Sequence, residues 1–147
     1  MLENTAQHQV YIAFDFGERR TGIAVGQSIT GIARPLATIT SINKQPNWAL
    51  IEDLIKQWQP TQLIVGIPDD IEKNKALRKK INLFCSDLAT KFGLPVFTHD
   101  ETLTSDEAYL HLKNKRRNSK GKIDKQDIDQ IAAAILLESW MSVNLPK

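Results

Sequence analysis

Residues 10–14 (VYIAF) and 22–26 (GIAVG) are short β-branched, aromatic and small-residue runs on either side of a charged turn, GERRT. The spacing leaves no room for a crossover helix, so the chain opens with a β-hairpin and its first two strands pair antiparallel. Residues 35–40 (PLATIT) continue as a third strand. The pattern then changes period. Trp48, Leu50, Ile51, Leu54, Ile55 and Trp58 recur at intervals of three and four, predicting an amphipathic helix that Pro60 ends. Residues 63–67 (LIVGI) are apolar at consecutive positions, which predicts a central strand covered on both faces. Leu77, Ile81, Phe84, Cys85, Leu88 and Phe92 mark a second helix closed by Gly93, and residues 95–99 predict a fifth strand. Thr104 and Glu107 form a T-x-x-E capping box opening a helix to about Leu112, and a last helix spans residues 125–141. Three consecutive strands followed by alternating helices and strands imply an α/β fold with a five-stranded mixed sheet, its first three strands antiparallel, flanked by helices.

At 147 residues the chain has the length of one domain, and residues 1–9 and 142–147 are expected to fray. The longest apolar run, residues 131–137, is seven residues long, where a membrane span needs about 20. No membrane association is expected. Cys85 is the single cysteine, which excludes an internal disulfide and a cysteine-rich zinc site. The opening MLENTAQHQ has no basic and apolar export pattern, so the expected location is a reducing cytoplasm.

The formal charge of +2 hides an asymmetry. Residues 113–125 (KNKRRNSKGKIDK) carry seven basic residues against one acid, a net +6, leaving −4 for the rest. A basic cluster on an acidic body points to a polyanionic partner, nucleic acid first, although a solvated loop has the same composition.

Three acids compete with simpler readings. Asp15 ends the first strand just before Gly17, where it is either a turn aspartate or a cation ligand. Asp100 and Glu101 come at the end of the fifth strand, either as loop acids favouring a helix start or as the source of a second strand-end ligand. On the last helix, at about 100° per residue, Asp129 falls among Ala132, Ala133, Leu136 and Trp140 on the apolar arc, Asp127 falls on the far side, and Asp124 sits at or before the first turn. A carboxylate on an apolar face needs a metal or a basic partner, for which Arg20 is one candidate. Carboxylates from two strand ends and a helix can hold one or two Mg²⁺ or Mn²⁺ ions beside a phosphate. The string Asp15-Phe16-Gly17 is kinase-like, but the rest of a kinase is missing.

The segments DFGERRTGIAVG (residues 15–26), ARPLATI (33–39), LIVGIP (63–68), HDETLT (99–104) and IDQIAAAILL (128–137) resemble, in order, the signatures of the YqgF/RuvX family of pre-16S rRNA nucleases and Holliday-junction-resolvase-like proteins. The resemblance implies an RNase H-like fold and metal-dependent phosphodiester cleavage. It makes Asp15, Glu101 and Asp129 the catalytic metal ligands, with Mg²⁺ or Mn²⁺ as cofactor. Arg20 would contact phosphate or orient Asp15, while Arg116, Arg117, Lys120 and Lys122 of the basic segment would grip nucleic acid. Two departures stand out: Thr102 where the family usually has arginine, and Asp69 and Asp70 in a turn that is usually polar and glycine-containing. The implied partner is structured RNA, a pre-rRNA, with branched DNA as the alternative substrate and a non-catalytic RNA-binding module as the alternative function. A monomer or weak homodimer is expected.

Overall fold

The computed structural model describes residues 8–100, 110 and 125–146. The short charged turn does force a hairpin: β1 (Val10–Asp15) and β2 (Arg20–Gln27) pair antiparallel from Val10↔Gln27 to Asp15↔Gly22. A turn containing Gly31, at φ 67°, leads into β3 (Ile32–Thr40), antiparallel to β2. That strand starts three residues before the predicted position because Pro35 lies inside it. The register slips between Ile23 and Ala24, leaving Leu36 as an extra residue. A proline is tolerated there because β3 is an edge strand and the bulge interrupts the ladder where proline has no N–H to offer.

On the other side of β1, β4 (Gln62–Ile67) and β5 (Val96–Asp100) are added in parallel, giving the order β3-β2-β1-β4-β5. The parallel additions need crossovers, supplied by α1 (Trp48–Trp58) between β3 and β4 and α2 (Lys75–Phe92) between β4 and β5. The middle strand is β1 rather than the LIVGI strand. Leu63, Ile64 and Val65 are nevertheless fully buried, since β4 has neighbours on both sides and helices on both faces.

Alternation along β1 divides the core. Ile12 and Phe14 join Ile23, Val25, Leu63 and Val65 under Ile51 of α1 and Ile81, Phe84 and Leu88 of α2. Tyr11 and Ala13 face the other way, with Ala24, Ala33 and Ile64, under helix α3 (Lys125–Asn144). Phe84 is the hub of the first layer: its ring meets Phe14 at 5.5 Å, Phe16 at 4.9 Å and Trp48 at 5.6 Å between centroids. Phe84→Ala removes three aromatic contacts at once and is expected to cost about 3–5 kcal/mol, read as a lowered urea midpoint with unchanged slope.

Both expected frayed ends differ in part. Gln9 exchanges hydrogen bonds with Ser28, its N–H donating to Oγ and its carbonyl accepting from the Ser28 N–H, both at 2.9 Å. At the other end α3 continues to Asn144, three residues past the predicted Met141. The Leu145 N–H donates to the Met141 carbonyl at 3.0 Å, and the Leu145 side chain packs on the α3 layer. Met141 and Leu145 extend the apolar stripe by one more turn, which the polar look of VNLPK conceals. The capping box of Thr104 and Glu107 lies outside the described residues, as do residues 1–7 and 147, and of the helix predicted from that box only Leu110, which is helical and exposed, is described.

Candidate active site

The position of α3 is set by small residues. On β2, positions 22, 24 and 26 share one face and are Gly, Ala and Gly, forming a shallow channel in which the helix lies. A Cβ at Gly22 would fall 2.0 Å from the Asp129 carbonyl oxygen, and one at Gly26 would fall 2.8 Å from Leu137 Cδ2. Ala133 is buried on the helix side of this contact, in the same core layer as Ala24. Polar ties fix the helix along its length. Thr38 Oγ1 donates to the Gln126 carbonyl at 2.6 Å, Arg20 Nε donates to Asp129 Oδ2 at 2.8 Å, and the Ala33 N–H donates to Glu138 Oε2 at 2.9 Å.

This packing brings Asp15 and Asp129 together. Asp15 is two residues beyond Ala13, so it shares the face that α3 covers, and its register partner across the ladder is Gly22, the residue over which Asp129 passes. Asp15 and Asp129 line one open cleft of about 470 Å³ with Phe16, Gly17, Glu18, Arg19 and Arg20. The cleft lies at the C-terminal end of β1, the end at which the parallel strands β4 and β5 also finish. Ligands of open α/β sheets bind at such ends.

Arg20 bonds Asp129, the basic-partner alternative for that acid, rather than Asp15. The pair is only partly buried, with side-chain exposures of 33% for Arg20 and 23% for Asp129, so both groups are within reach of a ligand in the cleft. Glu18, on the turn at the cleft's rim, bonds Lys80 of α2 at 2.9 Å, and that ammonium holds the Glu18 carboxyl below the usual carboxylate range. Lys80 thus ties α2 to one residue of the cleft's rim, a contact that sequence reasoning missed. The run of Lys75, Arg78, Lys79 and Lys80 along α2 was the available signal.

The described residues include no group of three His, Cys, Asp or Glu suited to a metal. Asp15 and Asp129 nevertheless fit Mg²⁺ or Mn²⁺, since they offer hard oxygen donors at an open cleft with room for further ligands. Cys85 offers no alternative nucleophile: burial pushes its thiol up to about 11, which keeps it protonated near neutrality. Glu101, Thr102, Arg116, Arg117, Lys120 and Lys122 lie outside the described residues. Of the two unexpected acids after β4, Asp70 has a structural task. Its Oδ1 accepts from the Lys73 N–H at 3.1 Å and its carbonyl accepts from Asn74, closing the turn that leads into α2.

Comparison with known proteins gives the same fold. A RuvC from T. thermophilus, solved in complex with a Holliday junction substrate, superposes with a TM-score of 0.59 at 16% identity, covering 94% of this chain and 96% of that one. The Fowlpox virus resolvase, solved with Holliday junction DNA, gives 0.57 at 16% identity over 94% of this chain and all of the other. At the level of sequence, a Methylococcus capsulatus protein named "Putative pre-16S rRNA nuclease" is 40% identical over 136 residues, which is 91% of this chain and 89% of that protein. A Pseudomonas putida protein of the same name is 38% identical over 140 residues, covering 95% and 99%. Residues 9–143 match the RuvX family, described as Holliday junction resolvase. With nearly the whole chain inside that match, relatives 40% and 38% identical over 91% and 95% of it, and a five-stranded mixed sheet of the RNase H-like order β3-β2-β1-β4-β5, this chain belongs to the RuvX family.

Proposed function

We propose that this protein is a metal-dependent nuclease that hydrolyses phosphodiester bonds and processes the 5′ end of pre-16S rRNA. The observation that carries the reading is the convergence of Asp15 and Asp129, from a strand end and a helix, on one cleft with Arg20. Asp15, Asp129 and Glu101 are the proposed catalytic metal ligands. Glu101 directly follows β5, whose odd-numbered residues Phe97 and His99 meet Trp140 and Ser139 of α3. One or two Mg²⁺ or Mn²⁺ ions, when bound, supply an ionised water and neutralise the leaving oxygen. Arg20 would meet the phosphate, while Arg116, Arg117, Lys120 and Lys122 would hold the flanking backbone. The proposed setting is one nuclease domain, a monomer or weak homodimer, in the cytoplasm. Among the described residues no helix is long and apolar enough to cross a membrane.

The relatives' names favour RNA, and the solved resolvases favour branched DNA as the second reading. The deciding experiment incubates the purified protein with precursor ribosomal RNA and with a four-way DNA junction, each with Mn²⁺ or chelator, beside Asp15→Asn. Mn²⁺-dependent cleavage of the RNA alone is expected. Cleavage of the junction alone would move the substrate to DNA, and retention of either cut by the Asp15 variant or with chelator would remove the metal mechanism.

A further inference from the structure

The Arg20–Asp129 ion pair sets two cations against each other for one carboxylate. Arg20 Nε lies 2.8 Å from Asp129 Oδ2, and Arg20 and Asp129 both line the cleft. Resting on the reading of Asp129 as a metal ligand, we infer that Arg20 is a coupling residue: it holds Asp129 while the cleft is free of cation, and on metal binding is released to grip the phosphate. A guanidinium hydrogen-bonded to a carboxylate lowers that carboxylate's attraction for a second cation, because the positive charges repel and share the same lone pairs. The effect is reciprocal, so a cation held by Asp129 loosens its bond to Arg20 by the same factor.

The side chain is suited to both tasks. The bond to Asp129 is made through Nε, while a guanidinium has five donors in a planar fork that matches a phosphate. Arg20 sits at the start of β2, two residues before Gly22, so the strand is anchored and the movable part is the side chain. Its partial exposure leaves the other donors open to the cleft. Arg20 would thus make metal binding weak in the absence of substrate and would contribute a phosphate ligand once metal is in place. The protein would then be loaded with metal and substrate together.

The test is Mn²⁺ affinity, read from free Mn²⁺ by electron paramagnetic resonance without nucleic acid, for the wild type, Arg20→Gln, Arg20→Lys and Asp129→Asn. Arg20→Gln is expected to bind Mn²⁺ roughly five- to tenfold more tightly, the scale of a partly exposed charge-assisted bond, yet to cleave more slowly at saturating Mn²⁺. Arg20→Lys keeps the charge without the fork and is expected to gain less. Should Arg20→Gln fail to melt cooperatively, Arg20→Lys supplies the same readout, and a gain in affinity there supports the coupling. Unchanged or weaker Mn²⁺ binding in the folded arginine variants would overturn it, since Arg20 would then only orient Asp129. Wild-type Mn²⁺ affinity in Asp129→Asn would instead remove Asp129 from the metal site, and with it the functional reading beneath this inference.

Discussion

Asp129→Asn is expected to lower metal-dependent cleavage by about a thousandfold, roughly 4 kcal/mol of lost transition-state stabilisation. The fold should survive. Asp129 is on the rim of the packed layer, and Arg20, its ion-pair partner among the described residues, is a third exposed, so losing the pair costs about 1 kcal/mol or less. A near-normal melting curve with an inactive protein is the signature that separates a ligand from a structural acid. Asp124→Asn is the matched comparison, because the helical pattern places that residue at or before the first turn and away from the apolar arc. It is expected to cleave at the wild-type rate. Equal loss in both variants, with folding intact, would mean that the helix contributes a different acid.

Gly22→Ala is the substitution expected to damage both stability and activity. Its added Cβ would lie 2.0 Å from the Asp129 carbonyl oxygen, 2.3 Å from the carbonyl carbon and 2.9 Å from Asp129 Cβ. These are mostly backbone atoms, so no side-chain rotation relieves the clash. Either β2 bends away from its partners β1 and β3 or the first turns of α3 lift off the sheet. The expected cost is about 3 kcal/mol, at the upper end for overpacking, visible as a lower melting temperature. The lift also carries Asp129 away from Asp15, and a displacement near 1 Å is enough for about a hundredfold loss of rate. Wild-type cleavage by a fully folded Gly22→Ala protein would show that Asp129 needs no fixed distance from β2, which would count against its role as a ligand shared with Asp15.

Much of this arrangement is legible before any tertiary information. The change from consecutive strand-like runs to alternating helices and strands identifies a mixed sheet, since a short turn can only return antiparallel and a long helical excursion can add a parallel strand. The acids were legible to different degrees. Asp129 is singled out by the company it keeps at helical spacing, because a charge on a buried arc needs a reason. Asp15 is marked only by its place at the end of a strand, which many turn aspartates share. The role of Gly22 was not recognised, although the alternation of Gly, Ala and Gly at positions 22, 24 and 26 is written in the strand. Period-2 smallness says that something approaches closely; it does not say what.

What the sequence by itself determined is therefore the set of elements, the class of sheet and the faces that must be covered, because hydrophobic periodicity is a local property of each segment. Tertiary structure alone decided that β1 is the middle strand, that Asp15 stands across the ladder from the glycine under Asp129, and that Arg20 bonds Asp129 rather than Asp15. The Arg20–Asp129 bond joins residues 109 positions apart. No local pattern encodes such a pair. Its partners meet because α3 settles into the channel of small side chains on β2, and the channel exists only once the strands have paired.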